Sequence, residues 1–121
     1  NPQNLIYNFH GDNDKKIILN NNLAQAFFNI FDNALEESAS WILIDIQTNK
    51  NQLFINVEDR GKGFSKEVLS QIGKPNITTK NSSGLGLFLA INNLQQIKGD
   101  LQINNLAQGA KITVTIPLEN L

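Results

Sequence analysis

The chain has 121 residues, 40% hydrophobic and 17% charged, with a formal net charge of −1 and no cysteine. That length fits one compact domain with its own core, and the lack of cysteine excludes disulfides and thiolate metal sites. Lys and Arg are scattered rather than clustered, so nothing calls for nucleic acid or an anionic membrane, and no apolar run approaches the roughly 20 residues needed to cross a bilayer.

The chain opens on Asn1-Pro2 rather than Met and reads as part of a longer protein, without a visible signal peptide. Leu5 to Phe9 is a short strand, Gly11 to Asp14 a turn, and Lys16 to Leu19 a second short strand. From Asn21 or Asn22 to about Ser38 the spacing predicts a helix. Leu23, Ala26, Phe27, Ile30 and Ala34 form one apolar stripe; Phe28, Phe31 and Leu35 form another, which predicts burial on two sides. A narrow polar strip of Asn22, Gln25, Asn29, Asn33 and Glu36 runs between them.

Trp41 to Thr48 alternates, with Ile42, Ile44 and Ile46 on one face. Asn49-Lys50-Asn51 is a hairpin turn, and Gln52 to Glu58 alternates again through Leu53, Ile55 and Val57. The same period puts Asp59 on that apolar face, an unusual place for a carboxylate. Ser65 caps a short helix through Ile72, and Gly73 to Ser83 is a loop. A helix runs from about Leu85 to Lys98, with Leu87, Ile91, Leu94 and Ile97 inward and Gly99 at C′. Leu101 to Asn104 and Lys111 to Pro117 form the last strand pair. Hairpin-joined strands with interspersed helices imply an α+β fold: a mixed, mostly antiparallel sheet with helices on one face.

Three places carry chemistry. Asn29 and Asn33 sit one helical turn apart, so their amides can converge on one ligand, and an Asn carbonyl is a neutral oxygen ligand suited to Mg²⁺. Taken alone, the strip reads equally well as solvated surface. Asp59-Arg60-Gly61-Lys62-Gly63 puts an acid at a strand end, before two glycines that allow close approach of a ligand to backbone. A carboxylate buried there needs donors, and the exocyclic amine of adenine is one; an isolated motif of this kind is more often a plain turn. Ser82-Ser83-Gly84-Leu85-Gly86-Leu87 opens a helix, where backbone N–H groups and the helix dipole favour an anion. Thr78, Thr79 and Lys80 stand just upstream as further donors. It is neither a Walker A nor a Rossmann motif.

Together and in this order, the three resemble the histidine-kinase catalytic domain of the gyrase, Hsp90, histidine kinase and MutL superfamily. Phe28-Asn29-Ile30-Phe31-Asp32-Asn33-Ala34-Leu35 looks like its N box, Asp59-Arg60-Gly61-Lys62-Gly63-Phe64 like its G1 box, and Gly84-Leu85-Gly86-Leu87 like its G2 box. Gly109-Ala110-Lys111-Ile112-Thr113-Val114 through Pro117 is similar to its last strand. The resemblance spans roughly residues 5–118 and implies a two-layer α/β sandwich of the Bergerat type, with residues 1–121 as the ATP-binding domain.

The resemblance implies ATP and Mg²⁺ as cofactors and transfer of the γ-phosphate to a histidine on the dimerisation domain of a two-component sensor kinase. Asn33 would bind Mg²⁺, with Asn29 assisting at the phosphates; these two are the catalytic pair. Asp59 would accept from the adenine amine, and Gly61 and Gly63 would shape the adenine wall. Residues 64–83 would form the ATP lid, with Thr79 and Lys80 near the phosphates. Gly84, Leu85 and Gly86 would let lid and helix fold over the triphosphate. Implied partners are the phosphoacceptor domain of the same protein and a response regulator, in a homodimer with its catalytic part in the cytoplasm, the parent anchored in the inner membrane or not.

The sequence also departs from the pattern. Where the family often has a basic residue contacting phosphate, three positions after Asn33, this chain has Glu36, followed by Glu37. No phenylalanine-rich F box precedes the G2 box, the lid is short, and Ala110 follows Gly109 where threonine is frequent. At position 29 the ATP-hydrolysing and anti-sigma serine-kinase branches typically carry a glutamate that acts as a base. Asn29 cannot accept a proton, which fits an acceptor such as neutral imidazole that already has a lone pair. Two alternatives stay open: a serine kinase of the anti-sigma type, and a degenerate nucleotide-binding signalling module without catalysis. His10, the only histidine, lacks the helical setting of a phosphoacceptor and reads as a strand-end residue. The phosphorylated histidine is expected on another segment.

Overall fold

The computed structural model describes residues 4–10, 21–37, 41–71 and 82–120. Five strands, β1 (Asn4–His10), β2 (Trp41–Thr48), β3 (Gln52–Asp59), β4 (Asp100–Asn105) and β5 (Ala110–Pro117), form one sheet in the order β1-β2-β3-β5-β4. The helices are α1 (Asn21–Glu37), α2 (Lys66–Gln71) and α3 (Ser82–Gln95), and a 3₁₀ turn spans Leu118–Asn120. The strand expected over Lys16 to Leu19 lies outside the described residues.

The sheet is mixed and mostly antiparallel, as the pattern of hairpins predicts. β1 pairs parallel to β2, which requires a crossover, and α1 lies on it in sequence. β2 and β3 form a tight hairpin in which Asn49 Oδ1 accepts from the Asn51 and Gln52 amides, both at 2.9 Å. β5 then lies between β3 and the edge strand β4, antiparallel to both. β3 is therefore central, with neighbours on both sides along its whole length.

Strand alternation separates the two faces. Ile42, Ile44, Leu53, Ile55, Val57, Ile112, Val114 and Ile116 are buried, and Leu23, Ala26, Ile30 and Ala34 of α1 join them in one core with Leu87, Phe88, Ala90, Ile91 and Leu94 of α3. A fully buried Ile such as Ile30 or Ile42 contributes about 1.5–3 kcal/mol over its exposed state. The other face carries Asp45, Asn56, Glu58, Lys111 and Thr113, and there Thr113 Oγ1 donates to Asn56 Oδ1 at 2.7 Å. The result is a two-layer α+β sandwich with its helices on one face. No helix among the described residues is long and apolar enough to cross a membrane.

Three expectations need correction. Phe28 is 56% exposed, while Phe31 and Leu35 are only half-buried, so α1 is closed on one side alone. Phe28 instead leans edge-on against Phe27, which stacks on Phe31. Next, α3 starts at Ser82 rather than Leu85, so Gly84 and Gly86 are helical. Two helical glycines cost about 1 kcal/mol each, and the buried side chains from Leu87 onward supply the tertiary packing that overrides the propensity. Finally, α3 stops at Gln95, and Lys98, not Gly99, takes the left-handed conformation, with φ of 56°. The Gly99 amide donates to the Leu94 carbonyl at 2.8 Å and Lys98 to Gln95 at 3.2 Å, the two bonds of a Schellman cap. Ser65 caps α2 as expected: its Oγ accepts from the Val68 amide at 3.2 Å.

The cap places a side chain where glycine is at ease. Lys98→Gly is expected to raise the unfolding free energy by about 0.5–1 kcal/mol, read as a higher urea midpoint with an unchanged slope.

Candidate functional site

Asp59 is the last residue of the central strand, paired with Ile42 on one side and Ala110 on the other. Alternation from Leu53, Ile55 and Val57 turns it toward the helices, and it is 3% exposed. Its Oδ1 accepts from the Gly61 amide at 2.9 Å, and the Ala110 backbone gives a second hydrogen bond. Burial outweighs both donors, so desolvation holds the carboxyl above the ordinary aspartate range. A carboxylate has about four acceptor positions, which leaves room for a donor from outside the protein.

The segment after Asp59 is tied down residue by residue. The Arg60 guanidinium lies 4.0 Å from the centre of the Trp41 ring. The Arg60 carbonyl accepts from Gln108 Nε2 at 3.3 Å. Asn105 pairs with the Phe64 backbone twice, accepting from its amide at 2.9 Å and donating to its carbonyl at 2.8 Å. Gly63 has φ of 78°, and a Cβ there would stand 2.8 Å from Asn105 Oδ1. Gly109 has φ of 87° and lies flat on the Asp59–Arg60 peptide, where a Cβ would come within 2.7 Å of Arg60 Cα. Gly109 therefore excludes a side chain on two counts, conformation and space, whereas at Gly63 the backbone conformation is the main bar and the shortest contact is with the end of the Asn105 side chain.

On α1, Asn33 is 3% exposed, and neither its Oδ1 nor its Nδ2 has a hydrogen-bond partner. Thr48 Oγ1, in the β2–β3 hairpin region, is the other buried polar side-chain group without a partner among the described residues. An unsatisfied buried polar group costs about 1–3 kcal/mol. A ligand or ion that engaged the Asn33 amide would relieve that cost, and its carbonyl oxygen suits a hard cation. Among the described residues no group of three His, Cys, Asp or Glu could hold a metal by itself. Asn29 is half-buried one turn earlier, and Glu36 is exposed one turn later. α1 contains no Lys or Arg.

α1 packs against both α3 and β3, so the element carrying Asn29 and Asn33 adjoins the one ending in Asp59 and the one whose first turns contain Gly84, Leu85 and Gly86. Gly61 and Gly63 follow directly on Asp59. Thr79 and Lys80 lie outside the described residues. Asn105, Gln108 and Trp41 were not singled out from the sequence as site residues. An asparagine in an asparagine-rich chain gives no signal there, since its partner Phe64 is 41 residues away.

The model of the histidine kinase-, DNA gyrase B- and HSP90-like ATPase family matches residues 19–120. Sporulation kinase C of Bacillus subtilis is 36% identical over 104 residues, covering 83% of this chain and 24% of that protein. Sensor histidine kinase ZraS of Salmonella typhimurium is 29% identical over 101 residues, covering 79% of this chain and 22% of that protein. The chain thus spans about a quarter or less of the length of these relatives. The catalytic domain of histidine kinase ThkA superposes with a TM-score of 0.74 at 23% identity, covering 95% of this chain and 80% of that one. Full-length ShkA in complex with AMPPNP gives 0.70 at 20% identity, covering 95% and 26%. These two likenesses bear on the fold.

The raised carboxyl of Asp59 has a definite sign. Its stability contribution is fully present below the ordinary aspartate value of about 3.9 and is lost as pH rises through the raised folded value. Without nucleotide, Asp59→Asn is therefore expected to be more stable than the wild type at pH 7, with the gain fading as pH falls toward 4. Urea unfolding across that range reads the difference; a gain that does not vary with pH would contradict the burial account. Gly109→Ala is expected to lose about 2–4 kcal/mol through clash and backbone strain, read by the same melts.

Proposed function

The chain belongs to the histidine kinase-, DNA gyrase B- and HSP90-like ATPase family, and we propose that it is a sensor-kinase catalytic domain that binds Mg-ATP and delivers the γ-phosphate to a histidine on a separate domain. The observation that carries the reading is Asp59: a buried carboxylate, ending the central strand, with acceptor capacity left after its two backbone donors. Adenine's exocyclic amine supplies the missing donor, and two partners of fixed geometry give base selectivity. Relatives named as sporulation kinases and sensor histidine kinases support the same reading.

In this proposal Gly61 and Gly63 let the base lie against backbone. Asn33, whose buried amide has no partner among the described residues, would hold Mg²⁺ together with phosphate oxygens, and Asn29 would steady the phosphates from one turn away. The ion would supply neutralisation of charge on the polyphosphate, which matters more here because α1 carries no cation of its own. Gly84, Leu85 and Gly86 would approach the triphosphate through backbone, joined by Thr79 and Lys80. Positioning and charge neutralisation are what phosphoryl transfer chiefly asks of a protein. Asn29 cannot take a proton, so position 29 supplies no base; a neutral imidazole needs none. The acceptor histidine, a response regulator and a homodimeric, cytoplasm-facing assembly belong to the same proposal. Exposed Glu36 favours a second reading, a nucleotide-binding signalling module without catalysis.

Calorimetric titration with Mg²⁺ and a non-hydrolysable ATP analogue separates the two steps. Asp59→Asn is expected to weaken binding by about 10- to 100-fold, the range for a hydrogen bond to a charged group. Lys62→Ala, at an exposed position, is expected to change it little. Equal affinities for the two variants would sink the adenine assignment. With binding intact, the chain alone should show negligible steady-state ATP hydrolysis. Adding the histidine-bearing domain should yield acid-labile, base-stable phosphate; binding without such transfer would favour the non-catalytic module.

A further inference from the structure

The β4–β5 hairpin meets the segment after Asp59 at three points. Gly109 lies on the Asp59–Arg60 peptide, Gln108 Nε2 donates to the Arg60 carbonyl at 3.3 Å, and the Asn105 amide makes both of its bonds to Phe64. The Asn105 contact is the most specific. One carboxamide satisfies the N–H and the C=O of one residue, as a neighbouring strand would, although β4 itself pairs only with β5. It also lies close to Gly63, whose φ of 78° already disfavours a side chain and where a Cβ would stand 2.8 Å from Asn105 Oδ1.

We propose that Asn105 is a positioning residue for the base end of the nucleotide site, acting through the Gly63–Phe64 backbone rather than by touching the ligand. The inference rests on the functional reading above, in which Gly61 and Gly63 form the wall beside the base. Asp59 itself is fixed by strand pairing on both sides. The residues after it have no strand neighbour among the described residues; the Gly61–Asp59 bond, the side chains of Gln108 and Asn105, the Arg60–Trp41 stack and the packing of Phe64 on the core hold them. Removing the Asn105 amide frees two backbone groups of Phe64 and opens space behind Gly63. The wall then has to be ordered when the base binds, and that cost weakens binding.

The full chain is titrated with Mg-ADP and with Mg-GDP, following heat and Trp41 emission, since Trp41 is the only tryptophan and carries Arg60 on its ring. Asn105→Ala is expected to bind Mg-ADP about tenfold more weakly and to lose part of the preference for ADP over GDP. Gln102→Ala, exposed on the same strand, serves as the control and should match the wild type. An unchanged Mg-ADP affinity overturns the proposal, as does an equal loss for both nucleotides, which marks general loosening of the fold. Should Asn105→Ala be unfolded at the assay temperature by urea titration, Gln108→Ala decides: an affinity about two- to threefold weaker supports the proposal and an unchanged one overturns it. A wild type that binds no Mg-ADP removes the functional reading and this inference with it, an outcome distinct from a binding wild type with an equally good variant.

Discussion

A carboxylate facing the core from the end of the central strand is the constraint around which the site is organised. Asp59 occupies a position that alternation reserves for a Val or Ile, and burial lifts its carboxyl above the ordinary range despite two backbone donors. The cost is tolerable because β2 and β5 fix it from both sides and the Gly61 amide turns back onto it. Tight backbone geometry follows: the chain must leave the strand, return an amide to its own carboxylate and pass under Gly109. Gly63 and Gly109 both have a positive φ, and at Gly109 the Asp59–Arg60 backbone also leaves no space for a side chain.

Asn33 presents the same theme on the helical layer. A buried amide with neither polar atom partnered among the described residues is a cost carried by the free domain. In the proposed nucleotide site these two residues would be the polar groups left for a ligand to satisfy. A site of that kind gains specificity because a ligand lacking the matching groups leaves them unpaired. The two ends differ in how they are held. The Asp59 end is braced by strand pairing, the hairpin and the Arg60–Trp41 stack. The helix bearing Asn29 and Asn33 offers only acids and amides, so positive charge at that end must come from elsewhere.

The architecture explains why these parts stay in register. The βαβ crossover lays α1 over the sheet, and the buried stripe from Leu23 to Ala34 fixes its rotation about its own axis. That rotation decides that Asn33 points inward while Asp32 and Glu36 stay in solvent. α3, packed against α1 through Leu87, Ala90, Ile91 and Leu94, sets where the glycine-bearing first turns begin. Core packing and site geometry are thus products of the same helical stripes.

Much of this was legible in the chain itself. Period-2 alternation through Leu53, Ile55 and Val57 placed Asp59 inward, and helical spacing put Asn29 and Asn33 on one strip, because both are local repeats that need no knowledge of partners. Three motifs in order sufficed for the family. The local signal failed where contacts between distant segments decide. Phe28 has the spacing of a buried stripe, but it is 56% exposed and no element among the described residues covers it. Gly84 and Gly86 look like loop residues, but packing of the following side chains extends the helix through them. Lys98 takes the left-handed place that its glycine neighbour seemed made for, because the last carbonyls of α3 bond to the Lys98 and Gly99 amides. Asn105 is silent in sequence and specific in space, since its meaning depends on Phe64, 41 residues away. The sequence by itself determined which residues face inward and which family they spell; the tertiary structure alone decided which distant backbone groups hold them in place.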